Sequence, residues 1–224
     1  MNALIDQFFN LDVMRQALPY LLKGLLITIV LTAVLAPLGM VTGLGLALAS
    51  RTSHGPLRWL VRAWVNVFRA MPPLVLIILT FSAFPFLGIQ LSAMTCVILG
   101  LALNNSAYYC EIFRAGLGSV PPGQAEAARS TGLGRFATLR LVVLPQATRN
   151  VLPDLASNTI EVMKSTSLAA ILSVGELLFA ASTARSVTFN TSPLTLAAVL
   201  YLLILIPAVR LSGRLERRAP VTPH

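Results

Sequence analysis

Charge is scarce in this sequence, and acidic charge is the scarcer part. Charged residues make up only 11% of the 224, with 8 Asp and Glu against 17 Lys and Arg, while 56% are hydrophobic. A soluble domain cannot bury so much apolar surface, so the composition indicates an integral membrane protein. Topology and anionic lipid explain the net charge of +9. Nucleic-acid binding would need a soluble basic face with aromatic platforms, and we expect no nucleic-acid partner.

Groups for catalysis and metal binding are equally sparse. The only histidines, His54 and His224, lie outside the apolar runs. Cys96 and Cys110 fall on one predicted helix, roughly 21 Å apart at 1.5 Å per residue, too far for a disulfide. The Gly-x-x-x-x-Gly-Lys-Ser/Thr loop that binds ATP phosphates is missing from the sequence. We therefore expect no catalysis, no metal and no cofactor in this polypeptide.

Long apolar runs are what the sequence has instead. A helix needs roughly 20 apolar residues to cross a bilayer, and the runs predict an all-α integral membrane protein. Five spans are predicted, near residues 20–49, 60–84, 90–114, 149–178 and 191–211. The first 18 residues lack a basic start and a small-residue cleavage site, so we expect no removable signal peptide. They favour a short amphipathic helix on the outer surface.

Basic residues lie mostly on one side of this five-span arrangement. Of the 17 Lys and Arg, four follow the first span, five lie between the third and fourth, and four follow the fifth, ending at Arg218. On the opposite side the first hairpin is uncharged and the second has only Arg185. The positive-inside rule makes the crowded side cytoplasmic. The N-terminus is then outside and the C-terminus cytoplasmic.

A polar segment favouring a helix lies between the third and fourth spans. Pro121-Pro122-Gly123 ends any helix that arrives from the membrane. Residues 124–130 favour a helix, which Gly132 can end in a left-handed conformation. Pro145 is expected near the first turn of the next span, where its missing N–H costs least. We predict a short helix across the membrane surface, with Ala127 and Ala128 offered to a close neighbour.

The spacing within this segment is specific: Glu-Ala-Ala, three residues, Gly, nine residues, an aliphatic residue, any residue, Leu-Pro. It resembles the EAA loop of permease subunits of bacterial ABC importers. Seven positions match: Glu126, Ala127, Ala128, Gly132, Val142, Leu144 and Pro145. An ordinary basic loop is the alternative, but it needs neither the Gly nor the Leu-Pro at those offsets. The resemblance implies one permease domain, 1–224, with a cytoplasmic ATPase-coupling loop over 118–145.

Polar residues in the second and third spans extend the resemblance to polar amino-acid permeases. Phe68, Arg69 and Pro72 match a Phe-Arg-Gly-Thr-Pro stretch, although Ala70 and Met71 replace Gly and Thr. The proline pair predicts a kinked gate helix that carries Asn66 and Arg69 towards the pathway. Alternatively, Arg69 reaches lipid head groups.

The end of the third span matches the same family through Ala107, Tyr108, Glu111, Arg114 and Gly116. Asn104 and Asn105 precede this stretch, and they must find partners because lipid offers none. Glu111 and Arg114 are one turn apart, so the two can form a structural ion pair. Tyr108 and Glu111 are alternatively groups of the substrate path.

The fourth span is the most polar and is predicted to line the path. Glu161 and Lys164 are one turn apart, and three hydroxyl residues follow: Ser165, Thr166 and Ser167. The stretch resembles the Lys-Asp-Thr-Ser-Leu signature of the same family, with Ser165 in place of Asp, which leaves the charge preference for substrate open. Alternatively, Glu161 and Lys164 only neutralise each other between packed helices.

Taken together, the resemblance implies the permease subunit of an ATP-driven importer of polar amino acids, with type I importer architecture, in the bacterial inner membrane. Its implied partners are ABC ATPase subunits, a second permease that is identical or different, and an external amino-acid-binding protein. One alternative is an importer of the same architecture for another small solute, such as a methylammonium compound or a small organic acid. A secondary transporter is the other, and it should show inverted repeats, which the sequence lacks.

Overall fold

Helices make up the regular structure of the computed structural model, which describes residues 2–52 and 54–217. Arg218 and His224 lie outside the described residues. The helices in chain order are α1 (Asn2–Phe8), α2 (Leu11–Ala49), α3 (Gly55–Ala70), α4 (Pro73–Phe86), α5 (Ala93–Ser119), α6 (Pro122–Ser130), α7 (Arg135–Thr138), a π-helix (Leu139–Val143), α8 (Leu144–Asn150), α9 (Leu152–Ser165), a 3-10 helix (Thr166–Leu172), α10 (Leu177–Thr188) and α11 (Ser192–Glu216). The all-α prediction is confirmed.

Three stretches are long and apolar enough to cross a bilayer, namely Leu4–Ala49, Ala93–Ser119 and Ser192–Leu215. They correspond to the predicted first, third and fifth spans, with the third and fifth beginning slightly later than predicted. The predicted second and fourth spans are each a pair of helices joined by a sharp bend. The described chain therefore has three such helices, or up to five spans if each bent pair is one span.

The second span differs most from its prediction as one kinked helix. The chain breaks between α3 and α4, whose axes differ in direction by 105°. Pro72 and Pro73 have no N–H, so the carbonyls of Phe68 and Arg69 lose their helical donors. The Asn104 side chain replaces one of them, since Nδ2 donates to the Phe68 carbonyl at 2.7 Å. The proline pair thus separates two helices that lie nearly at right angles.

The fourth span is broken between Leu172 and Leu177, nearer its C-terminal end. Helix α9 tightens into the 3-10 helix at Thr166, and Ser173 then takes a left-handed conformation with φ of 57°. The chain resumes in α10 after a bend of 46°.

Pro145 was expected near the first turn of the fourth span, and it lies before that span. It belongs to α8, just after the π-helix, within a helical stretch from Arg135 to Asn150, and the span begins beyond Val151.

The core is formed by α2 against α5. Gly39 and Gly43 on α2 lie on Tyr109 of α5, and a Cβ added at Gly43 would come within 2.6 Å of the Tyr109 Cβ. Two glycines four residues apart thus let the helices approach closely, as small residues do in membrane proteins. Cys96 and Cys110 are both free and buried along α5. Helix α5 thus contacts α2 along the core and leads directly into the loop that contains α6.

Candidate functional site

Helix α6 ends where the sequence predicts, at Ser130, and begins two residues before the predicted 124–130. It begins at Pro122 and its last helical residue is Ser130. Gly132 follows with φ of 92°, and its N–H donates to the Arg129 carbonyl at 3.0 Å. The N–H of Leu133 donates to the Ala128 carbonyl at 3.4 Å. These two bonds form a Schellman motif, which needs a left-handed residue where Gly132 lies.

The exposed face of α6 is narrower than predicted. Glu126 and Ala127 are exposed, but Ala128 is buried inside its own chain. The expectation that both alanines face a separate neighbour was therefore wrong for Ala128. Its small side chain instead lets α6 pack on the π-helix region of the same loop. Downstream, Leu144 is half-buried and Pro145 is exposed.

Contacts at both ends of the loop fix it to the membrane helices. A Cβ at Gly116 of α5 would lie 2.8 Å from the Ala147 carbonyl oxygen of α8, so the two backbones touch. Nearby, Asn150 Nδ2 donates to the Ser119 hydroxyl at 2.8 Å. Arg51, after α2, donates to the Leu117 carbonyl at 3.0 Å. Helix α8 and the residue Arg51 are therefore both joined to the end of α5 that leads into the loop.

A polar cavity of about 260 Å³ opens between the start of α4, α5 and α9. We call it the amide cavity, and its lining residues are Pro73, Asn104, Asn105, Tyr108, Asn158, Glu161 and Ser165. It brings together three of the predicted path residues, from helices that are about 50 residues apart in sequence. One lining atom, Asn158 Nδ2, is buried and has no hydrogen-bond partner in the described part of the chain. A buried donor left in this way can donate a hydrogen bond to a ligand oxygen at little desolvation cost.

The other predicted residues of the fourth span lie outside this cavity. Thr166 is fully buried and donates to the Met163 carbonyl at 2.7 Å. Ser167 donates to the Lys164 carbonyl at 2.8 Å. Lys164 forms an ion pair with Glu161, and these side chains are 47% and 66% exposed. Glu161 therefore lies between the amide cavity and Lys164.

A charged cluster adjoins the amide cavity at Tyr108. Glu111 accepts two hydrogen bonds from Arg114, at 2.9 Å from Nε and 2.6 Å from Nη2. This is the ion pair expected from the sequence. The Arg69 Nη1 atom lies 3.6 Å from the Glu111 carboxylate. The Arg69 guanidinium also lies 5.4 Å from the centre of the Tyr108 ring. Arg69 thus contacts both the cluster and a wall of the cavity.

Two polar residues received no role from the sequence, Asn158 and Glu176. Glu176 is fully buried and caps α10, accepting from the N–H groups of Leu178 at 2.9 Å and Phe179 at 2.7 Å. The Tyr201 hydroxyl donates to the same carboxylate at 3.1 Å. An acidic residue directly before an apolar run is a helix-start signal that could have identified Glu176. The burial of Asn158 depends on the meeting of α5 and α9.

Comparison with known proteins gives consistent matches over most of the chain. Residues 36–220 match the family described as binding-protein-dependent transport system inner membrane component. The chain is 38% identical over 173 residues to a probable amino-acid ABC transporter permease protein, YckA, of Bacillus subtilis, covering 77% of this chain and 76% of the relative. It is 32% identical to the glutamate/aspartate import permease protein GltK of Escherichia coli O157:H7, covering 90% and 94%.

Solved structures give the same match in three dimensions. The crystal structure of an amino acid ABC transporter with histidines superposes with a TM-score of 0.83 at 32% identity, covering 92% of this chain and 96% of that one. An inward-facing structure of the MetNI methionine ABC transporter has a TM-score of 0.76 at 20% identity, covering 91% and 97%. The second likeness is one of fold alone. Both bent pairs of helices therefore lie within a fold found in solved transporters.

Proposed function

The chain belongs to the family of binding-protein-dependent transport system inner membrane components, and we propose that it carries a polar amino acid through the amide cavity. It is a permease subunit of an ATP-driven importer. The relatives that match it include amino-acid permeases, which supports an amino acid as the substrate here. One observation of the chain itself carries the proposal: the buried, unpaired Asn158 amide in a cavity that also contains the Glu161 carboxylate.

A zwitterionic amino acid needs partners for both of its charges inside the membrane. Each charge that leaves water without a partner costs several kcal/mol. Asn158 Nδ2 is a donor for the substrate carboxylate, and Glu161 is an acceptor for its ammonium group. Tyr108 and Ser165 supply further polar contacts on the same wall. Lys164 then holds or releases Glu161, and the nearby Asn66, Arg69, Glu111 and Ser167 form the path towards the cytoplasm.

Coupling to ATP is proposed to act through the loop over 118–145. Glu126 and Ala127 form an exposed surface on α6 that fits a groove of an ATPase subunit, while Gly132, Leu144 and Pro145 shape the loop behind it. Ala128 and Thr166 are buried, so they contact other parts of this chain and do not contact the ATPase or the substrate. Closure of the ATPase dimer would push α6 of two adjacent permeases together. The bonds to α5 and α8 then carry that displacement to the amide cavity.

The family implies an ATPase partner for this permease. The finer assembly is our proposal: two permeases, identical or different, two ATPase subunits and an external amino-acid-binding protein, in a bacterial inner membrane. ATP hydrolysis belongs to the ATPase, so this chain is itself no enzyme.

The proposed topology has five spans, with the N-terminus outside and the C-terminus cytoplasmic. In a chain lacking Cys96 and Cys110, a cysteine at Gln90 should then label from outside intact cells and one at Arg140 should not. The reverse pattern would invert the topology.

Uptake by the reconstituted importer tests the substrate assignment. Asn158→Leu removes the donor, and loss of a hydrogen bond to a charged group costs about 1.5–3 kcal/mol, so KM for the amino acid should rise about 10-fold or more. Thr159→Val is the matched control, because Thr159 lies beside Asn158 on α9 but does not line the cavity. Its hydroxyl bonds the Tyr109 hydroxyl of α5 instead. It should leave KM unchanged. Equal KM for Asn158→Leu and parent, with assembly intact, would remove Asn158 from the path. Stimulation of ATP hydrolysis only by a binding protein loaded with another solute would reject an amino acid.

A further inference from the structure

A second polar cavity, of about 470 Å³, lies between the end of α2, α3 and α5. Five arginines line it, and we call it the basic cavity: Arg51, Arg58, Arg62, Arg69 and Arg114. Glu111 is the one carboxylate among its described lining residues. It shares no lining residue with the amide cavity. It is therefore a cavity distinct from the amide cavity, with a strong excess of positive charge, and it shares Asn66, Arg69 and Glu111 with the proposed path beyond the amide cavity.

The five arginines are not equally engaged. Glu111 binds Arg114 and lies 3.6 Å from Arg69, and Arg51 donates to a backbone carbonyl. Among the described side chains, Arg58 and Arg62 form no ion pair. They lie at i and i+4 on α3, so they point to the same side and repel each other. An anion between them would turn this repulsion into attraction.

The opposite face of α3 is apolar and exposed. Trp59, Leu60 and Val67 are 66%, 57% and 51% exposed, while Val61 and Val65 pack inward. The 105° bend before α4 sets α3 nearly perpendicular to its neighbour. A helix with arginines on one face and tryptophan and aliphatic residues on another is the usual form of a helix in the head-group layer. The basic cavity and this apolar surface therefore lie on different faces of one helix.

We propose that the basic cavity binds the phosphate head group of an anionic phospholipid, whose acyl chains lie along the apolar face of α3. Arginine suits phosphate because its planar guanidinium donates two parallel hydrogen bonds. Basic pockets between membrane helices near the cytoplasm are known to bind such head groups. The proposal depends on the chain lying in a bilayer and is independent of which solute is transported.

Occupancy of the basic cavity has a consequence for the amide cavity. Arg69 belongs to the basic cavity and also lies over the Tyr108 ring, which lines the amide cavity. A phosphate competes with Glu111 for Arg69 and Arg114. The bound lipid therefore changes the position of Arg69 against Tyr108, and transport responds to the anionic lipid content of the membrane.

The test uses the two tryptophans of the chain, since both Trp59 and Trp64 lie on α3. The full chain in phosphatidylcholine nanodiscs receives increasing amounts of brominated phosphatidylglycerol or brominated phosphatidylcholine, and tryptophan quenching is measured. One basic residue near an anionic surface contributes about 1 kcal/mol, a factor of about five in affinity. We expect brominated phosphatidylglycerol to reach half of its maximal quenching at a several-fold lower mole fraction than brominated phosphatidylcholine does. Equal quenching by the two lipids would overturn the proposal.

Two pairs of substitutions separate this site from general attraction. Arg58→Gln with Arg62→Gln should reduce the preference for phosphatidylglycerol over phosphatidylcholine about five-fold or more. Arg58→Lys with Arg62→Lys should keep most of this preference. Arg210→Gln with Arg214→Gln is the matched control, with the same spacing and charge change on exposed positions of α11, and should leave the preference unchanged. Equal loss in the control pair, or full preference in the first pair, would contradict the site.

A last arm distinguishes lipid from free phosphate. Inorganic phosphate is added to the nanodiscs, with chloride at the same ionic strength as the reference. If the cavity binds a lipid, phosphate should have no more effect on the quenching than chloride. Loss of the preference only with phosphate would assign the cavity to a soluble phosphate and reject the lipid.

Discussion

Two breaks in the membrane helices solve the same problem with different chemistry. Between α3 and α4 the prolines remove two backbone donors, and Asn104 from α5 supplies one of them. Between the 3-10 helix and α10 there is no proline, and Glu176 accepts from the two N–H groups that the new helix leaves unpaired. Thr28 of α2 accepts a third, from Leu177, at 3.2 Å.

The comparison shows what permits an irregular backbone inside a membrane. Lipid cannot hydrogen-bond to the freed backbone groups, so a neighbouring helix or a local cap must do so. The first break lacks backbone donors and receives an amide. The second break has surplus donors and receives a carboxylate. Each buried polar side chain is thus specific to the kind of group that its break exposes.

Removal of the carboxylate at the second break should have the largest effect. Glu176→Leu leaves the N–H groups of Leu178 and Phe179 and the Tyr201 hydroxyl without their acceptor. Each buried donor left unpaired costs about 1–3 kcal/mol, so the free energy of unfolding in bicelles should fall by about 3–9 kcal/mol for the three donors. Glu176→Gln keeps one acceptor and should lose less. Equal stability of the two variants would show that the hydrogen bonds of this cap contribute little.

Removal of the amide at the first break should have an intermediate effect. Asn104→Leu leaves the Phe68 carbonyl unpaired and should destabilise by about 1–3 kcal/mol. The comparison becomes sharper in a Pro72→Ala background, because the alanine introduced there has an N–H that can donate to the same carbonyl. Asn104→Leu should cost less in that background, with a coupling of at least about 0.5 kcal/mol in a double-mutant cycle. Strict additivity would mean that Asn104 does not compensate for the proline.

A substitution at the end of α6 should reduce the free energy of unfolding less than a substitution at either break. The end of α6 is closed by its own backbone and by Gly132, whose neighbourhood is open to added atoms. Gly132→Ala forces an L side chain into the left-handed region and should cost about 1 kcal/mol, measured as the free energy of unfolding. Its larger result should be weaker stimulation of ATP hydrolysis by the loaded binding protein. Gly134→Ala, at φ of −66°, is the control and should behave as the parent does.

The two breaks also differ in how far the sequence predicts them. Pro72-Pro73 identifies the first, although its 105° bend depends on how α3 and α4 pack on α5. The second break is marked only by Glu176 before an apolar run, since Ser173 is not a residue type that favours a left-handed conformation. The coupling loop was the most predictable region, because local turn and cap residues determine it. The amide cavity was predictable only in part, as Asn158 becomes buried when α9 meets α5.

The Glu161–Lys164 pair should have the smallest effect on stability, and that makes it the clearest probe of transport. Both side chains are substantially exposed, and exposed pairs contribute about 0–1 kcal/mol. Glu161→Gln with Lys164→Met should therefore unfold like the parent, unlike either break variant. If the pair lines the path, Lys164→Met should reduce uptake because Glu161 loses the partner that positions it, and the double variant should not restore uptake because the acceptor for the substrate ammonium group is then gone as well. Full uptake by the double variant, at matched expression and with ATPase assembly verified, would assign the pair to packing alone. A loss of transport without a loss of stability separates these residues from Asn104 and Glu176, whose polar groups hold the helices in place.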